Sequence, residues 1–167
     1  MKEARAHPRP GSHEGVILFT VGGFKFAIAA DSVKEIRGTS GLHEITLRGI
    51  VAQMEKLRFT LERDGTTYFV VDAKRYFFLK QSAPGRVLIL RGSPTAVLVD
   101  SADRMMDISA LHALPRAFTQ EERAWYRGLA VVNGEVVPVV NPGSFLSKGE
   151  QEVLRAGLER ARGVSAE

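Results

Sequence analysis

Cysteine is absent from the 167 residues. Its absence excludes a disulfide framework, a cysteine zinc site, an iron–sulfur cluster and a cysteine nucleophile. Long apolar runs are missing as well. The longest are four or five residues, as at 129–132, against the ~20 needed to span a bilayer. Histidine is scarce: His7, His13, His43 and His112 are the four, and no two stand at metal-ligand spacing. Neither a Gly-x-Ser-x-Gly elbow nor a Gly-rich phosphate loop is present. Glycine (16) and proline (7) are too few for a low-complexity chain. Charge of one sign is not concentrated either. The net charge of +4 comes from 23 basic and 19 acidic residues without a dense Lys/Arg block. A solvated surface accounts for that balance, and a nucleic-acid or anionic-membrane footprint is the alternative.

What is present reads mostly as short strands. Residues 1–15 hold two prolines and two glycines without periodicity and are expected to be a disordered tail. They lack an apolar h-region, so no secretory signal is expected. An apolar run at 16–21 ends at Gly22-Gly23, and Phe24, Phe26 and Ile28 then alternate with Lys25, Ala27 and Ala29. That is strand, turn, strand. Asp64-Gly65 separates runs at 59–62 and 67–71. Runs at 87–90 and 96–99 flank Gly92-Ser93-Pro94. Asn133-Gly134 separates 129–132 from 136–140 and is the strongest short hairpin signal in the chain. Pro138 lies inside the last run, and its missing amide places it on an edge or at a bulge. Helical signals are few. Thr119 with Glu122 caps a turn entering 123–126, and Ser147 with Glu150 caps an amphipathic C-terminal helix carrying Val153, Leu154, Leu158 and Ala161. Stretches 49–57, 73–79 and 103–108 are ambiguous.

A weak internal repeat has an offset of 69. Gly23, Ala27, Asp31 and Ser32 match Gly92, Ala96, Asp100 and Ser101, and Gly65, Val70 and Val71 match Gly134, Val139 and Val140. Each half is too short to bury much alone. Two similar β-subdomains packed together, with a groove along their seam, are the expected arrangement.

Side chains that do chemistry are sparse. Asp31, Asp72 and Asp100 follow strands. Paired-carboxylate catalysis is one reading, and Asx-turns or helix caps are the simpler one. Met105-Met106 reads as packing or as an adaptable contact surface. Trp125-Tyr126 reads equally as partner anchor or packing. Phe24-Lys25-Phe26 and Lys74-Arg75-Tyr76-Phe77 come nearest to a nucleic-acid face, but Lys25 points away from its two aromatic neighbours, whose rings are expected to be buried. The profile is that of a binding module, not an enzyme.

The ordered set of motifs resembles the CheW-like family of chemotaxis coupling proteins. Residues 17–28 followed by Val33-Lys34-Glu35-Ile36-Arg37-Gly38 resemble the family's opening. Val87-Leu88-Ile89-Leu90 and Ala96-Val97-Leu98-Val99-Asp100 with Ile108 resemble its middle, Leu114-Pro115 its proline segment, and 126–141 with Phe145-Leu146 its closing hairpin. The resemblance spans about 16–150, leaving 151–167 as helix and tail. One departure stands out. The family's Asn-Leu-Arg-Gly is here Glu62-Arg63-Asp64-Gly65, with Asp64 in the arginine's place and Arg63 one residue early. Such a shift in a strand turns a side chain to the other face. The stretch 38–58 is also longer than usual.

The resemblance implies a mainly all-β fold of two SH3-like five-stranded β-barrels with short helices and a C-terminal amphipathic helix. It implies a cytoplasmic, non-catalytic adaptor without cofactor, membrane insertion or nucleic acid. Its partners would be the cytoplasmic tip of a chemoreceptor (a methyl-accepting protein), docked in a hydrophobic seam, and the regulatory domain of a CheA-type histidine kinase, a contact the Asp64 substitution puts in question. The implied partner-facing residues are Val33, Glu35, Ile36, Val87 and Leu88, with Arg63, Asp64 and Gly65 as the altered hairpin. Plain core packing is the competing reading of Val33, Ile36, Val87 and Leu88. The alternatives are a relative that binds a receptor or other regulator but not the kinase, and a small-barrel nucleic-acid binder.

Overall fold

The structure, a computed structural model, describes residues 13–45 and 54–165. The tail expected over 1–15 and the ambiguous stretch 49–57 fall largely outside them. The first strand, β1 (Glu14–Val21), begins two residues before the expected 16 and pairs with β2 (Phe24–Ala29). Then come β3 (Val33–Arg37), β4 (Leu42–Glu44) and the hairpin β5 (Leu57–Arg63) and β6 (Thr66–Asp72). A single helical turn, α1 (Ala73–Tyr76), follows. The hairpin of β7 (Arg86–Leu90) and β8 (Thr95–Val99) leads into β9 (Ser101–Ile108), which settles the ambiguous 103–108 as strand. The chain closes with α2 (Gln120–Trp125), the hairpin β10 (Tyr126–Val132) and β11 (Glu135–Val140), and α3 (Lys148–Ser165).

Local chemistry explains these elements. Asp64 and Gly65 take φ of 50° and 76°, and Asn133 and Gly134 take 51° and 79°. Positive φ at both central residues is the demand of the tight hairpin turn that matches strand twist. The Thr119 hydroxyl accepts the Glu122 amide at 3.2 Å while the Glu122 carboxylate accepts the Thr119 amide at 3.0 Å. Ser147 and Glu150 make the same reciprocal pair at the head of α3. Asp72 accepts the Lys74 amide, and Asp100 accepts the Gly22 amide and the Ser82 hydroxyl. Asp72 thus caps α1, and Asp100 ties the Gly22 turn and Ser82 to the end of β8.

Two sheets result, one of five strands in the order β10-β11-β2-β1-β9 and one of six in the order β3-β7-β8-β6-β5-β4. The sequence repeat is real in three dimensions. The offset of 69 carries the pair His43–Thr60 onto His112–Leu129, and the parallel pair Val70–Ala96 onto Val139–Ala27. Yet neither sheet is one repeat. The β1–β2 hairpin of the first half sits between β11 and β9 of the second, and the β7–β8 hairpin of the second sits between β3 and β6 of the first. The halves have exchanged their first hairpins, so each sheet is built from both repeats.

The expected placement of Pro138 is corrected. Its strand β11 is interior. Both polar groups of its partner Leu129 bond to His112, at 2.8 and 2.7 Å. The pair is thus non-hydrogen-bonded, and the proline's missing amide faces β2. That junction carries a single register pair, Val139–Ala27, so the proline costs the sheet little.

Each sheet encloses a small cluster on one face: Val16, Ala27, Ala130 and Val139 in the first, Leu61, Val70, Ile89 and Ala96 in the second. The largest cluster lies on the opposite faces, between the sheets. Phe19, Phe26, Phe77, Phe145 and Leu154 fill it, with Phe26 and Phe77 stacked at 4.5 Å. The open apolar seam implied by the resemblance is therefore occupied by the chain's own side chains.

Candidate partner-binding site

Burial divides the eight sequence candidates. Val87 and Leu88 are fully buried and Val33 is 7% exposed. Leu88 and Val33 belong to the central cluster, and Val87 faces the interior of the six-stranded sheet. These three are core residues, and the expectation that they face a partner is corrected. β7 sends Leu88 and Leu90 into the central cluster and Val87 and Ile89 into the smaller one, so both of its faces are covered.

Of the other five, Glu35, Arg63, Asp64 and Gly65 come together, and Ile36 stands on the opposite face of Glu35's strand. On β3 the register slips between Val33 and Glu35. Glu35 then lies opposite Ile89 and Ile36 opposite Leu88. Glu35 accordingly shares the concave side with Leu61 and Arg63, while Ile36 lies over the central cluster at the sheet's edge, 38% exposed. The Arg63 Nε donates to Glu35 Oε2 at 3.0 Å and stands 3.9 Å from Asp64. Three strands separate β3 from β5 in the sheet order. The ion pair shows that the sheet curls far enough for its two sides to meet. The Arg63 guanidinium is held above its ordinary pKa by the Glu35 hydrogen bond and by the Asp64 and Glu35 charges. Asp64 and Gly65 form the exposed turn beside it.

The repeat separates the two methionines that the sequence left between packing and a contact surface. Met105 stands 69 positions after Ile36, opposite Ile17 of the central cluster, and is 72% exposed. Met106 turns to the other face and packs with the smaller cluster. Ile36 and Met105 are thus corresponding apolar side chains on the edge strands β3 and β9, both on the seam side. An edge strand with an exposed aliphatic or thioether side chain is a ready contact surface.

The remaining sequence candidates resolve into packing. Trp125 meets the rings of Tyr76 and Phe77 at 5.5 and 5.6 Å. Burial first, with Ser144 opposing it and Glu150 adding to it, pushes the Tyr76 phenol up to about 12. Burial likewise raises Tyr126 to about 12, helped by Glu122. Phe26, Tyr76 and Phe77 are buried, while Phe24, expected to be buried, is 60% exposed. Lys25 pairs with Glu135 at 2.7 Å. Among the described residues no cluster of three or more His, Asp or Glu could hold a metal ion, and no helix is long and apolar enough to cross a membrane.

The sequence matches the CheW-like domain over residues 15–150. The chain belongs to that family, a family of non-catalytic scaffolds of chemotaxis. No curated protein sequence matches it. Among solved structures it is similar to the scaffolding protein TtCheW from Thermoanaerobacter tengcongensis, with a TM-score of 0.69 and 15% identity over 84% of this chain and 97% of that one. At that identity the likeness is one of fold.

Proposed function

We propose that this protein is a cytoplasmic, cofactor-free adaptor that holds the cytoplasmic tip of a chemoreceptor beside a CheA-type histidine kinase. The observation that carries the reading is the Glu35–Arg63 pair, which gathers Glu35 and the 63–65 turn on one rim of a CheW-like fold, with Ile36 on the other face of the same edge strand. The rim offers an apolar edge (Ile36, with Met105 on the neighbouring sheet) beside a mixed-charge turn. That combination suits an amphipathic helical hairpin, with its stripe on the aliphatic edge and its polar flank on Glu35 and Arg63. Because the seam is filled, docking takes place on its rim and not within it. Arg63 stands one residue before the family's arginine, but its side chain is turned toward Glu35 at the strand's end, so the kinase contact rests on that pair. The adaptor's work is mutual positioning: receptor conformation biases the kinase through contacts that differ between states.

The test is a pull-down of a receptor signalling tip by the full chain, with and without a CheA regulatory domain, repeated with Glu35→Lys. Both partners should be retained by the wild type, little changed between 50 and 200 mM salt. Glu35→Lys should weaken retention while the circular dichroism spectrum stays native. Loss of the fold in that variant, or unchanged retention, would count against a surface role. Salt-sensitive binding to DNA with no retention of either protein would favour the nucleic-acid reading.

A further inference from the structure

We infer that the outward face of the β10–β11 hairpin is a second docking site, for an amphipathic helix of another protein whose stripe is apolar throughout. The repeat supplies the argument. The offset of 69 lays β10–β11 on β5–β6 residue for residue. On β5–β6 the seam-side face is covered by α3. At one end the Lys56 ammonium donates to Glu150 at 3.0 Å. At the other, Arg162 donates to Thr67 at 3.0 Å and stands 3.7 Å from Glu62. Leu154 and Leu158 lie between and pack on the cluster that holds Phe69. These four positions recur every four residues and form one helix face. Twelve residues of helix rise ~18 Å, which matches the ~20 Å of strand from Lys56 to Glu62.

On β10–β11 the matching positions carry Leu129, Val131, Val136 and Pro138, where β5–β6 has Thr60, Glu62, Thr67 and Phe69. Ala130, Val132, Val137 and Val139 point into the small cluster, so these four point the other way. Leu129 lies opposite Pro138 and Val131 opposite Val136. Val131 and Val136 are 56% and 65% exposed. Among the described residues no helix covers them. Where the second half continues into α3 from its cap Ser147, the first half turns back at Phe78, the corresponding residue, with φ of 55° and 73% exposure. Phe78 lies 6.1 Å from Trp125, the counterpart of Lys56. The molecule thus has two equivalent faces, one covered by α3 and the other apolar and without a covering helix among the described residues, with Val131 and Val136 exposed and Leu129 and Pro138 half-buried.

The chemistry of the bare face selects its occupant. The ends of α3 are charged because Lys56 and Glu62 answer Glu150 and Arg162. Here those answering positions are Trp125 and Val131. A helix seated here needs apolar residues at i, i+4, i+8 and i+12. The α3 of a second copy would bring Glu150 and Arg162 against partners that cannot pair with them. The face belongs to β10–β11, apart from the Glu35–Arg63 rim on β3 and β5.

The test uses the full chain and two peptides spanning 147–165, one native and one with Glu150→Leu and Arg162→Leu. Binding is followed by methyl NMR. The substituted peptide should bind saturably, shift the Val131 and Val136 methyls, and bind about tenfold tighter than the native peptide. Val131→Asp should weaken it by about tenfold, and Val136→Lys serves as a second variant should the first fail to fold. Four results would overturn the inference: equal affinity of the two peptides, shifts confined to the surroundings of Leu154, binding indifferent to a folded variant, and self-association through Val131 seen by sedimentation without peptide.

Discussion

Glu35 and Leu88 lie on neighbouring strands, and both came from one family pattern, yet they play opposite parts. Leu88 has no exposed surface, so Leu88→Ala should cost about 2–4 kcal/mol in urea unfolding, by lost transfer energy and the cavity left behind. Glu35 sits in a solvated ion pair with Arg63, and pairs of that kind add little to stability. Gly128 is a third case. A Cβ there would stand 2.5 Å from the His112 carbonyl oxygen and 2.8 Å from Leu111. Gly128→Ala should therefore break the His112–Leu129 bridge and cost about 1–3 kcal/mol, read by the same unfolding experiment and by faster exchange of the Leu129 amide. The apolar run at 87–90 marked Leu88 as strand, while Glu35 and Gly128 fall in strands that periodicity left unread. Periodicity did not say which positions had neighbours on both sides, because that is a property of strand order and not of the strand.

Turns and caps were the most legible elements. Asp64-Gly65, Asn133-Gly134, Thr119 with Glu122, and Ser147 with Glu150 are local devices, and each formed where its residues stand. What α3 does was less legible, since its partners Lys56, Glu62 and Thr67 come from a distant hairpin. Among the described residues of α3 Leu154 is the fully buried apolar anchor, and Leu154→Ala should cost about 2–4 kcal/mol by thermal or urea unfolding. The head of the helix also responds to acid. Burial acts against the Glu150 carboxylate, but the Ser147 amide and hydroxyl and the Lys56 ammonium outweigh it, and the carboxyl is held below its ordinary value. A group depressed in the folded state stabilises above its unfolded pKa, about 4.3, and loses that contribution as pH falls through the folded value. Amide exchange in the first turn of α3 should therefore quicken selectively as pH is lowered through the carboxylate range, after correction for intrinsic rates. Lys56→Met should shrink that response.

At the scale of the whole molecule the exchanged hairpins decide behaviour. Each sheet needs strands from both halves, so neither half should fold alone. Unfolding of the full chain should be one transition, with Trp125 fluorescence and far-ultraviolet circular dichroism coinciding. Two separate transitions would contradict this. The buried phenols set an alkaline limit. Tyr76 and Tyr126 are raised to about 12, while an unfolded tyrosine ionises near 10. Between those values the unfolded state has lost protons that the folded state keeps, so stability should fall as pH rises from about 10 to 12, followed by phenolate absorbance during urea unfolding. The sequence by itself determined most of the strands, their turns, the helix caps, the 69-residue repeat and the family, because these depend on residue periods and on dihedral preferences that act over a few positions. Only the tertiary structure decided that the halves trade hairpins, that the seam is filled, that Val33, Val87 and Leu88 are core while Glu35 meets Arg63, and that one of two equivalent hairpin faces stands bare. Those outcomes depend on which surfaces meet across tens of residues, and a sequence carries no local signal for a neighbour supplied by its other half.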